Sequence, residues 1–109
     1  MAPNALVLRT VGELKRRLEA AFGPALLDVR LFGSHARGEA NEESDVDVFV
    51  LLGTASWNDR RRVLDIAADL SLQTDLLVSP TVFDNVRFEE WRRQERALVM
   101  DIEREGIRP

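Results

Sequence analysis

Two aspartates, Asp45 and Asp47, enter a run from Asp45 to Leu52 that is otherwise valine, phenylalanine and leucine. Aspartate is depleted in strands, so a pair at the head of such a run needs a reason. Alternate residues of a strand share a face and lie roughly 6–7 Å apart, which aims both carboxylates into one small volume. Like charges so placed repel unless a cation lies between them. An oxygen-only set of this kind suits Mg²⁺, which takes one or two carboxylates and completes its shell with substrate phosphates. The same three-residue pattern also describes two solvated residues at a strand edge, so its surroundings decide.

Ten residues, His35 to Ser44, separate the pair from Gly33-Ser34, which ends an apolar run from Val29 to Phe32. Glycine after a strand lets the backbone approach a phosphate, and a serine hydroxyl with neighbouring N–H groups can bind its oxygens. Asp75 opens a third apolar run, Thr74 to Val78. If that strand neighbours the second, three carboxylates meet. Two metal ions about 3.5–4 Å apart, shared among three carboxylates, can clamp the attacking and leaving oxygens of an in-line phosphoryl displacement. Asp75 would then polarise or deprotonate the attacking hydroxyl. Arg37, three residues after Ser34, is placed either to reach a phosphate or to pair with Glu39 or Glu42 on the surface. His35, the only histidine, is given no direct role. Trp57 and Trp91 offer rings to an adenine, but their helical spacing with other apolar residues assigns them to the core. Arg60-Arg61-Arg62 reads as a solvated helix face.

The elements that must position these groups follow from periodicity. Val11, Leu14, Leu18, Ala21 and Phe22 recur at helical spacing, opened by a capping box at Thr10 and Glu13 or by Asn4, and closed by Gly23-Pro24. The runs Val29–Phe32, Asp45–Leu52 and Thr74–Val78 predict strands, the last ended by Ser79-Pro80. His35 to Ser44 is read as a loop or helical turn. Ser56 and Asp59 open a middle helix with a core face of Val63, Ile66, Ala67 and Leu70. From Val82 to Glu105 the spacing predicts one further helix with Phe83, Val86, Trp91, Leu98 and Ile102 inward, and Gly106 as a left-handed cap before Ile107. The order α-β-β-α-β-α is that of an α/β (α+β) chain, a small mixed sheet flanked by helices, with a crossover through the middle helix.

Gly33-Ser34-His35-Ala36-Arg37-Gly38, then Ser44-Asp45-Val46-Asp47, then Asp75 resemble the DNA-polymerase-β-type nucleotidyltransferase superfamily, and within it the minimal nucleotidyltransferase (MNT) domains. The similarity extends over nearly the whole chain, including Ile102-Glu103-Arg104-Glu105-Gly106. It implies a polymerase-β-like nucleotidyltransferase fold and transfer of a nucleoside monophosphate from a nucleoside triphosphate to a hydroxyl, with Mg²⁺ and release of pyrophosphate. Asp45, Asp47 and Asp75 would be the metal ligands and catalytic carboxylates, holding two Mg²⁺ ions, while Gly33, Ser34 and Arg37 would hold the triphosphate of ATP. Small members pair with helical HEPN-type toxins, so the resemblance further implies an antitoxin that adenylylates a tyrosine of its partner in a hetero-oligomer. This chain has no tyrosine, which puts that acceptor on another chain. A small-molecule acceptor such as an aminoglycoside, or a non-catalytic partner-binding module, are the competing expectations.

Composition bounds the rest. With 109 residues, 45% hydrophobic and 31% charged, the chain is expected to form a single domain over residues 1–109 with one core. The absence of cysteine excludes disulfides, thiolate zinc sites and a cysteine nucleophile. A net charge of −4 argues against nucleic acid held by a basic face as a direct ligand. No apolar run approaches the ~20 residues of a membrane span, and Met1-Ala2-Pro3-Asn4 lacks the start of a signal peptide, which leads to an expectation of a cytoplasmic protein.

Overall fold

The computed structural model describes residues 4–41 and 43–109. Asn4 caps α1 (Ala5–Phe22), its side chain accepting from the Leu6 N–H. Thr10 is therefore not a cap: it is buried mid-helix with its hydroxyl donating to the Leu6 carbonyl. A single 3₁₀ turn, Gly23–Ala25, leads into β1 (Leu26–Phe32). One turn of helix, α2 (Ser34–Arg37), precedes β2 (Val46–Leu52). The Ser56–Asp59 capping box opens α3 (Trp57–Thr74) as expected.

The sheet has order β1-β2-β3, with β1 antiparallel and β3 parallel to the central strand. A parallel neighbour requires a crossover, and α3 supplies it. The third strand departs from the sequence reading: β3 is Val78–Asp84, not Thr74–Val78. Ser79-Pro80 lies inside it rather than ending it. Proline lacks the N–H of a ladder donor, but β3 is an edge strand, where that donor is dispensable. The expected final helix is correspondingly cut. Its first residues belong to β3, and the remainder forms α4 (Asn85–Arg93) and α5 (Ala97–Glu105), separated at Glu95, which adopts a positive φ of 51°.

Alternation along β2 divides the interior into two layers. Val46, Val48, Val50 and Leu52 pack with Val7, Val11, Leu14 and Leu18 of α1 and Val63, Ala67 and Leu70 of α3. Phe49 and Leu51 point the other way, onto Phe83, Phe88, Val99 and Ile102. Phe88, not Val86, turns inward; Val86 is exposed because the strand that runs to Asp84 resets the helical register. Trp91 meets the Phe83 ring edge-on at 5.1 Å, in keeping with its core assignment. Trp57 does not: it is 88% exposed. Gly106 is extended (φ −63°) rather than left-handed, and its missing side chain makes room for Arg30 and the Ile102 carbonyl. No helix among the described residues is long and apolar enough to cross a membrane.

Candidate active site

β1 and β2 deliver the two halves of the site to the same end of the sheet. Phe32 pairs with Asp47, so Gly33 emerges directly beside that aspartate. Gly33 has φ 75° and ψ −156°, and an added Cβ would collide with the Asp47 carboxylate. Only glycine suits that conformation and that contact. The Gly33 carbonyl then accepts from the amides of Ala36 and Arg37, closing α2, and Gly38 ends it in the left-handed region at φ 73°. The first amides of a helical turn have no acceptor within it, which leaves N–H groups beside the Ser34 hydroxyl at this end.

Asp45 and Asp47 share the face of β2 that carries Phe49 and Leu51, opposite the valine face. Neither carboxylate has a hydrogen-bond or ion-pair partner among the described residues. Burial first, and the Asp45 charge second, push the Asp47 carboxyl above its ordinary range, against the pull of His35 and Arg37. A half-buried carboxylate beside a like charge favours a cation between the two. The donor set fits one hard divalent cation whose remaining ligands are phosphates and water.

His35 holds this arrangement together and was not singled out by the sequence. It is buried, and its Nε2 donates to the Ser44 carbonyl at 3.1 Å, tying α2 to the residue before Asp45. Its being the only histidine was the available signal. Arg37 takes the surface-pair reading: its guanidinium donates to Glu39 at 2.9 Å and to Glu105 at 3.2 Å. Glu42, the other expected partner, lies outside the described residues.

Asp75 is not brought to the pair. It is the exposed C-cap of α3 at φ 59°, its N–H bonded to the Ser71 carbonyl. Aspartate tolerates this left-handed conformation. The register sets Ser79 beside Asp47, while the Leu77 carbonyl accepts from Val46 at 2.8 Å. The residues flanking the pair on β3 are thus a serine and an exposed leucine. No group of three metal-ligating side chains occurs among the described residues. The expected triad is a pair. Trp57 and Trp91, the candidate adenine platforms, lie on α3 and α4; Trp57 belongs to the helix layer on the valine face, away from the carboxylates.

This geometry is that of a nucleotidyltransferase, and the sequence places it: residues 11–103 match the nucleotidyltransferase domain, and the chain belongs to that family. It is similar to a candidate protein adenylyltransferase of Methanocaldococcus jannaschii, 35% identical over 78 residues, or 71% of this chain and 79% of the relative. A solved candidate minimal nucleotidyltransferase is 27% identical, with a TM-score of 0.54 over 91% of this chain and 95% of its own. A chain from the complex of tri-AMPylated Shewanella oneidensis HEPN toxin with MNT antitoxin shares the fold, with a TM-score of 0.54 at 20% identity, over 94% of this chain and 70% of that one.

Proposed function

We propose that this chain is a Mg²⁺-dependent protein adenylyltransferase that moves AMP from ATP to a hydroxyl, a tyrosine, of a HEPN-type toxin, and so acts in the cytoplasm as an antitoxin. The observation that carries the reading is the Asp45–Asp47 pair, without a partner among the described residues, with Asp47 packed against Gly33. The adenylyltransferase relative and the AMPylated HEPN–MNT complex support the choice of nucleotide and partner.

In this reading Asp45 and Asp47 would hold the ion, whose chemistry would be to neutralise charge on the triphosphate. The Ser34 hydroxyl and the adjacent amides bind phosphate oxygens, and Gly33 allows them to approach. The acceptor oxygen forms a bond to the α-phosphorus, the bond to the bridging oxygen breaks, and pyrophosphate departs. With no third carboxylate beside the pair among the described residues, the acceptor proton passes to solvent. Arg37 joins the phosphate site only by leaving Glu39 and Glu105.

That same gap on β3 favours a second reading, a nucleotide-binding module that neutralises its partner by occlusion. Incubation with Mg²⁺, ATP and the HEPN protein, followed by intact-mass spectrometry, separates the two. An AMP adduct on the partner that is lost in Asp45→Asn/Asp47→Asn supports transfer. A stable complex with no adduct, or an adduct undiminished in the double variant, refutes it.

A further inference from the structure

We propose that α3 is the contact surface for a second copy of this chain, paired antiparallel about a two-fold axis between Leu64 and Asp65. One face of α3, carrying Val63, Ala67 and Leu70, is spent on the core. At 100° per residue, Trp57, Arg61, Leu64, Ala68 and Leu72 form a second stripe roughly a third of a turn away. All five are exposed, with Trp57 at 88%, Leu64 at 52% and Leu72 at 83%. A tryptophan and two leucines in line on one solvent-facing helix are more than scattered surface apolarity.

Charge and shape select the occupant. Arg60 is engaged by the Val82 carbonyl, and Arg62 lies over the Phe22 ring. Arg61, Asp65 and Asp69 have no ion-pair partner among the described residues. Within the helix, the free positive charge therefore precedes the free negative ones. Antiparallel pairing brings Arg61 of each copy against Ala68 of the other, within a turn of its Asp65 and Asp69, and opposes the two helix dipoles. The same axis sets Leu72 opposite Trp57. There, a cavity of about 410 Å³ lined by Trp57, Asn58, Arg60, Arg61 and Leu64 receives it. The stripe thus carries both the knob and the hole, as an isologous interface requires.

The valine face of β2 meets α3, and the carboxylates lie on the opposite face, so pairing leaves both sites open. One helix per copy makes a small interface, and a dissociation constant of about 10–100 µM is expected. Sedimentation equilibrium on the full chain should show a monomer–dimer equilibrium in that range. Leu72→Glu should shift it to monomer with an unchanged melting temperature. Arg61→Asp should weaken it at least tenfold, and adding Asp65→Arg with Asp69→Arg should restore it. A chain monomeric at about 500 µM overturns the proposal, as does dimerisation indifferent to Leu72→Glu or not rescued by the charge reversal.

Discussion

Replacing Gly33 by alanine tests the joint between β1 and the carboxylates. The backbone at φ 75°, ψ −156° is a glycine region, and an L-residue there costs about 1–3 kcal/mol. The new Cβ also meets the Asp47 carboxylate, which must move out of its packed position. Overpacking of this kind adds about 1–2 kcal/mol, for a total near 2–5 kcal/mol. At roughly 4 °C per kcal/mol for a chain of this length, the melting temperature should fall by about 8–20 °C. The two contributions separate in a double-mutant cycle. In an Asp47→Ala background the collision is gone, so Gly33→Ala should cost only its backbone share, leaving a coupling of about 1–2 kcal/mol. Urea denaturation followed by circular dichroism reads all four proteins. Equal costs in the two backgrounds, or a Gly33→Ala protein melting within 2 °C of the parent by the slope above, would refute the packing argument.

Asp47→Asn should abolish nucleotidyl transfer yet raise the melting temperature at neutral pH. The folded carboxyl sits above its unfolded value, so the parent loses stability as pH rises from about 3.9 through the raised value, and the variant's advantage should vanish near pH 3. Asp28 should behave oppositely. Burial alone would raise it, but Arg108 and Arg30 together hold it lower, so its contribution is present above about 3.9 and lost as pH falls through the lower folded value. Asp28→Asn should therefore narrow the stability difference between pH 7 and pH 2 in acid titrations. Phe49 is fully buried between Phe88 at 5.2 Å and Phe83 at 6.0 Å, and Phe49→Ala should cost about 3–5 kcal/mol by chemical denaturation.

The elements with one strong period were legible in the sequence. β2 is legible to within a residue, α3 is capped where Ser56 and Asp59 indicate, and Gly33 does meet Asp47. The failures cluster after α3. Thr74 to Val78 looked like a strand because its apolar residues are contiguous, but Leu70 and Thr74 still belong to the helix period and Asp75 ends it. Proline reads as a stop, since nothing in one sequence reveals that β3 is an edge where Pro80 is tolerated. Once β3 moved, Asp75 left the site and Val86 exchanged places with Phe88. Helical spacing with other apolar residues assigns Trp57 inward, whereas its position before the first buried turn of α3 leaves it outside. His35 depended on a nine-residue return of the chain to Ser44, which no local pattern encodes.

The two borders of the sheet are each partly blocked to further strands. Along β1, Ile107 exchanges a pair of backbone hydrogen bonds with Leu31, each at 2.8 Å, so the returning tail occupies the Phe32 end of that border. Along β3, Pro80 removes a donor from the outermost row. Both devices interrupt the continuous row of donors and acceptors that an added strand would need, and so work against lengthening of the sheet. The surfaces left for recognition are then the side chains of its helices and the Gly33–Asp47 end of the sheet.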